Sequence, residues 1–244
     1  MVINPCYEIC KRGVFLKENN QIPAICIIAD VIESRKNKKE EGLEKVVEVL
    51  NEKYQKRCMT PFSIRMGDEI FGVLAHFTDA YDALKDLFQL SQQKKIPFYT
   101  GIGIGHVFAN EINDQHQING TAIWNAADAI DYLKNNDSMV KHFKNKQETF
   151  KYFFFANEQN IPHMLINYMT AFIFEKIENR TDKQAEIIRV YEAHPEETHE
   201  EIGKRLNYEL NPGLNISKTL ARAHYHFVQS AEKELIKLLG KIQS

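Results

Sequence analysis

Ala24-Ile25-Cys26-Ile27-Ile28-Ala29-Asp30, followed one helix later by Phe62-Ser63-Ile64-Arg65-Met66-Gly67-Asp68-Glu69-Ile70-Phe71-Gly72-Val73-Leu74, decides how this chain folds. The first run is apolar throughout and ends on a carboxylate, the pattern of a central strand covered on at least one face. The second reads as a tight hairpin, with Gly67 suited to the turn and Asp68 and Glu69 at its tip. An acid ending an apolar strand gains nothing there unless something binds its charge. Two acidic points on neighbouring strands point to a divalent cation, and so to phosphate chemistry or phosphate sensing. Asp30, Asp68 and Glu69 are therefore the candidate ligands of magnesium or manganese. The competing account makes Gly67-Asp68 a plain turn dipeptide and Asp30 a cap or loop acid.

Working outward, residues 1–21 form an arm before the first strand. Leu43, Val46, Val47, Leu50 and Tyr54 recur at the spacing of one buried helix face. Pro61 is expected to break the chain before the hairpin, and Thr78 to cap a second helix with Asp79 and Asp82 in its first turn. Pro97 opens a further strand over residues 98–107. The order β-α-β-β-α-β is the split form of a ferredoxin-like layer. A third helix fits residues 121–134 and an aromatic strand residues 151–156. Helical patterns then cover 161–177, 182–193, 198–206 and 216–239. The expected fold class is α+β, with a sheet domain over 22–160 and an all-α domain over 161–244.

Within residues 98–107, Gly101, Gly103 and Gly105 alternate with Ile102 and Ile104. Alternation places the glycines on one strand face and the isoleucines on the other. The isoleucines are expected to pack on helices. The bare face permits close approach by a ligand, a loop or a partner, with tight backbone packing as the plainer account. Arg35 and Lys36, in the basic stretch after Asp30, are placed to reach phosphates, although such a run is more often a solvated loop.

The C-terminal helices fit a helix-turn-helix. Residues 195–206 give a short capped helix, Asn211-Pro212-Gly213 a turn, and residues 215–223 a recognition helix offering Ser217, Lys218, Thr219 and Arg222 to a major groove. The connection is longer than usual for this motif. Residues 181–244 hold nine Lys/Arg against ten Asp/Glu, so no basic field supports DNA binding. A protein-docking or dimerising module stands beside the DNA-binding reading.

Lys and Arg total 31 against 33 Asp and Glu, a net charge of −2 with no global pull toward nucleic acid or membrane. No apolar run approaches the roughly 18 residues that span a bilayer. The polar start lacks the apolar core of a secretory signal, and Cys6, Cys10, Cys26 and Cys58 lack zinc or disulfide patterning. A cytoplasmic protein is expected.

These motifs resemble the SatD family, small bacterial proteins with a nucleotidyl cyclase-like or GGDEF-like palm and a helix-turn-helix tail. The resemblance rests on Ile28-Ala29-Asp30-Val31-Ile32-Glu33-Ser34-Arg35-Lys36, on Met66-Gly67-Asp68-Glu69-Ile70-Phe71, and on the glycine strand. Asn119-Gly120-Thr121-Ala122-Ile123-Trp124-Asn125-Ala126-Ala127 is similar both to that family and to the cyclases' Asn-x-Ala-Ala-Arg helix, with Asn125 as the matched asparagine. The resemblance runs over about residues 22–235. It implies a homodimer. The cyclases' transition-state arginine falls on Ala129 or Asp128 here, and their base-reading lysine on Phe62. A guanidinium at that point stabilises developing phosphate charge, which neither replacement does. The expectation is a regulator whose palm binds a nucleotide or phosphate ligand and whose tail binds DNA. Its rivals are a divergent cyclase or nucleotidyltransferase using Arg35 or Arg65, and a non-catalytic interaction module.

Overall fold

The computed structural model describes residues 21–34, 40–108 and 117–244. In chain order these form β1 (Gln21–Val31), α1 (Glu40–Tyr54), β2 (Cys58–Arg65), β3 (Glu69–Leu74), α2 (Asp79–Lys94), β4 (Phe98–Phe108) and α3 (Thr121–Lys134). Then follow β5 (Phe150–Phe155), α4 (His163–Glu178), α5 (Asp182–Ala193), α6 (His199–Arg205), α7 (Pro212–Arg222) and α8 (Tyr225–Gln243). The protein is α+β, built on one mixed sheet of order β2-β3-β1-β4-β5. β1 lies between β3 and β4 and is antiparallel to both, whereas β5 runs parallel to β4.

This central place explains why β1 is apolar on both faces. Ile25, Ile27 and Ala29 join Ile102 and Ile104 in a core with α1, α2, α4 and α8. Ala24, Cys26 and Ile28 face the other way and meet Phe71, Val73 and α3. The glycines of β4 lie on this second face, where α3 itself makes the close approach. A Cβ on Gly103 would sit 1.9 Å from the Ala122 carbonyl oxygen, and one on Gly101 2.3 Å from that of Ala126. The bare strip is thus covered by the chain's own helix, backbone against backbone.

Three local expectations need correction. Pro61 does not end the chain segment; it lies exposed inside β2, within the register shift between Thr60 and Ser63. β2 is one of the sheet's two outer strands, where a missing N–H costs no ladder bond. Thr78 makes no side-chain capping bond, because it already has helical dihedrals (φ −60°, ψ −25°). The helix expected over 216–239 is two helices, α7 and α8, separated at His224 with φ +52°. No Gly or Pro announces that break, and histidine is one of the few side chains that enter the left-handed region with any frequency.

A third apolar cluster lies within the C-terminal helices, with Ile187, Ile188, Ile202, Ile216 and Leu220 at its centre. α8 belongs to this cluster and to the first: Tyr225 enters the helical cluster, while Leu235 and Leu239 lie beneath the sheet. Its far end is pinned to the β3–α2 connection, where Gln243 Oε1 accepts from Phe77 N (2.9 Å) and Nε2 donates to Ala75 O (2.8 Å). Among the described residues no helix is long and apolar enough to cross a membrane. Cys26 and Cys58 are free thiols, and Cys6 and Cys10 lie outside the described residues.

Candidate functional site

The sheet register sets Arg65, Glu69, Asp30, Tyr99 and Lys151 in one row across all five strands. Directly opposed residues on neighbouring strands share a face. All five therefore lie on the α3 side, at the end of β1 where the sequence places its terminal acid. The row is charged where the next one inward, with Phe71, Ile28 and Phe153, is apolar. Two of its cations rest on rings: the Arg65 guanidinium carbon is 3.2 Å from the Phe71 ring centre, and Lys151 Nζ is 5.3 Å from that of Tyr99.

Asp30 and Glu69 are cross-strand partners at the centre of this row. The last residue of α3 reaches down to them, with Lys134 Nζ 2.9 Å from Asp30 Oδ2. A cation at a helix C-terminus also suits the helix dipole. Burial pushes the Glu69 carboxyl above the ordinary carboxylate range, and the charge of Asp30 adds to this, while Arg65 and Lys134 pull it back down. Desolvation draws the Lys134 ammonium downward, but its bond to Asp30 and the charges of Asp30, Asp131 and Glu69 outweigh it and leave its pKa raised.

Asp68 occupies a different position. Met66 and Gly67 form the turn with φ of +52° and +88°, the left-handed pair of a tight hairpin. Asp68 follows them and its backbone carbonyl accepts from Val31 N at 3.2 Å. The acid set beside Asp30 is thus Glu69, with Asp68 one residue away at the hairpin tip. Asn125 is buried, and its Nδ2 donates to Ile104 O at 2.7 Å, pinning α3 on β4. Arg35 and Lys36 lie outside the described residues. On α7, Ser217, Lys218 and Arg222 are exposed, while the Thr219 hydroxyl donates to Asn215 O at 2.8 Å.

The donor chemistry of the Asp30–Glu69 pair suits a divalent cation. Magnesium usually takes one or two carboxylates and completes its shell with phosphate and water. The two carboxylates lie side by side, and burial, with the neighbouring Asp30 charge adding to it, holds Glu69 above the ordinary carboxylate range. Among the described residues no group of three or more His, Cys, Asp or Glu side chains converges. A cation here would therefore draw its remaining ligands from a bound phosphate or solvent.

Lys134 is the member of this site that the sequence reading missed, although a signal for it exists. A strand advances about 3.4 Å per residue and a helix about 1.5 Å, so two strand positions match roughly four helix positions. Gly105 meets Thr121, Gly103 meets Ala122 and Ala126, and Gly101 meets Ala126 and Ile130. Continuing that step sets the next helical turn, with Lys134, over Tyr99 and its partner Asp30.

The sequence model described as SatD family matches residues 24–204 of the chain. This is shorter than the span 22–235 over which the motifs resemble it, and it stops before α7. No curated protein matches. Among solved structures, the chain is similar to "Crystal structure of the guanylyl cyclase Cya2" at 22% identity and a TM-score of 0.21, over 36% of this chain and 56% of that one. The chain thus spans little more than half of that cyclase's length.

Proposed function

The chain belongs to the SatD family, and from that premise we propose a ligand-responsive regulator. Its sheet domain takes a nucleotide or other phosphate ligand together with magnesium or manganese at the Asp30–Glu69 end, with Asp68 at the mouth. Gly67, Gly103 and Asn125 serve this site through the backbone they position. Its helical domain passes the bound state to DNA or to a protein. The single observation that carries the reading is the cross-strand acid pair, set at the end of a buried strand and partly neutralised by Lys134. An apolar strand bears that electrostatic cost where a cation or a cation–phosphate complex offsets it.

The neighbour order β2-β3-β1-β4, antiparallel throughout, supports the ferredoxin-like palm. The contact of Gly203 on Pro212 supports the helix-turn-helix, since a Cβ on Gly203 would fall 2.5 Å from Pro212 Cβ. α8 supplies the physical link, as it packs both beneath the sheet and in the helical cluster. Of the two positions that match the cyclases' arginine, Ala129 is buried against Gly101 and Asp128 is a carboxylate, so neither brings a positive charge to a phosphate. Binding without turnover follows, in a homodimer as the resemblance implies. A protein target for the helical domain is favoured over DNA by one observation: Leu210 and Leu214, 79% and 50% exposed, flank the start of α7 where a DNA reader would carry cations.

Thermal melting with nucleoside triphosphates and cyclic nucleotides, with and without manganese, tests the reading. A metal-dependent rise for one ligand, absent in Asp30→Asn, supports it. No shift with any ligand, or a shift that survives Asp30→Asn, overturns it.

A further inference from the structure

A cavity of about 510 Å³ opens at the β5 edge of the sheet, between the loop before β5 and α4. Small-molecule sites occupy about 300–1,000 Å³, walled by apolar and aromatic groups with a few polar ones. Here the loop contributes Lys141, His142 and Lys146, and α4 contributes Tyr168, Phe172 and Glu178.

The wall is built rather than incidental. Asn145, 3% exposed, fixes the loop: its Oδ1 accepts from Phe150 N, and its Nδ2 donates to Gln147 Oε1 and Thr149 Oγ1. Tyr168 stands edge-on to the buried Phe143 ring with centres 5.4 Å apart, and Phe143 stacks on Phe153. Phe172 is left 65% exposed beside them, one helical turn along the same face.

Charge sorts by element. Lys144 is engaged by Glu148 at 2.6 Å, and Glu178 accepts from the Lys146 backbone N–H at 3.4 Å. Among the described residues no hydrogen bond or ion pair reaches the Lys141 ammonium or the His142 ring. Lys141 and Lys146 therefore line one side of the cavity, and the Tyr168 and Phe172 rings the other, with Glu175 and Glu178 beside them on α4. A phosphate is recognised by the first and a flat ring by the second.

We infer that this cavity is a second ligand site, for a nucleoside monophosphate, bound without a divalent metal. The phosphate lies against Lys141, His142 and Lys146, and the base against Tyr168 and Phe172. The site is separate from the Asp30–Glu69 end and uses none of its residues.

Calorimetric titration of the full chain in EDTA with AMP, GMP, CMP and UMP, with the matching nucleosides and with inorganic phosphate, tests this. One or more monophosphates should bind more tightly than both nucleoside and phosphate. Lys141→Glu with Lys146→Glu, and separately Tyr168→Ala with Phe172→Ala, should each weaken binding by about tenfold or more. Lys141 and Lys146 are exposed, so the charge variant should melt as the parent does. Phe172→Ala alone, at a 65% exposed ring, leaves the Tyr168–Phe143 contact in place and should weaken binding without lowering the melt, and Asp30→Asn should bind unchanged. Absence of monophosphate binding, equal binding of nucleoside or phosphate, or indifference to both double variants overturns the inference. Binding that Asp30→Asn abolishes and the cavity variants do not would also overturn it, by placing the ligand at the β1 end.

Discussion

The Lys134 ammonium, on the last residue of α3, lies 2.9 Å from Oδ2 of Asp30, the penultimate residue of β1. The glycine strand makes this contact possible by seating α3 directly on β4. Without that seat the helix would ride higher, and Asp30 and Glu69 would face each other with no ammonium above them.

Lys134→Met should separate the structural from the electrostatic role of this pair. Both partners are partly solvated, so the loss of stability should stay below about 1 kcal/mol. Removing the resident cation should, however, enlarge the rise in melting temperature that manganese produces. Melting with and without manganese reads both effects, and an equal rise in parent and variant would show that Lys134 and the metal do not compete.

Glu69 predicts a pH dependence. Its folded pKa is raised above 4.5 by burial and by Asp30, so between the two values the folded state binds more protons than the unfolded one. The contribution of this group to stability therefore falls as pH rises through that window. Glu69→Gln should be more stable than the parent near neutrality, and the difference should close as pH drops toward the ordinary carboxylate value. Melting both proteins across pH checks this, and a gap that widens on acidification would contradict it.

Two glycine replacements should cost different amounts. In Gly103→Ala the new methyl meets backbone atoms of Ala122 and Ala126 within 2.3 Å, so α3 must lift. A loss of about 2–3 kcal/mol is expected from such overpacking. Gly67→Ala meets open space and bears only the penalty of its positive φ, about 1 kcal/mol. Denaturant titration ranks them, with Gly103→Ala the less stable of the two.

Much of this fold was legible because the hydrophobic periods are clean. The β1 run, the apolar face of α1 and the Gly-Ile alternation each name one element and one buried face. The register was not legible: nothing in Met66-Gly67-Asp68-Glu69 says that Glu69, rather than Asp68, stands opposite Asp30. That choice is made by two positive-φ residues in the turn, one of them a methionine. The break at His224 was hidden for a like reason, since a left-handed histidine leaves the apolar spacing on either side intact.

Asn167 shows how an outer strand is closed by a side chain. It is fully buried, its Oδ1 accepting from Phe154 N at 2.9 Å and its Nδ2 donating to Phe154 O at 2.7 Å. The amide thus takes the place of a further strand beside β5. Asn167→Ala orphans both backbone groups and should cost about 2–4 kcal/mol. Hydrogen exchange at the Phe154 amide should accelerate with it, and unchanged protection there would refute the role.

The central claim is that the Asp30–Glu69 pair holds a divalent cation together with a phosphate ligand. Calorimetric titration of nucleoside triphosphates into the full chain, with manganese and then with EDTA, tests it most directly when Asp30→Asn and Glu69→Gln are run in parallel. The account predicts binding that requires manganese and is lost or sharply weakened in both variants. Binding of equal strength in EDTA, or binding that both variants retain, would contradict it.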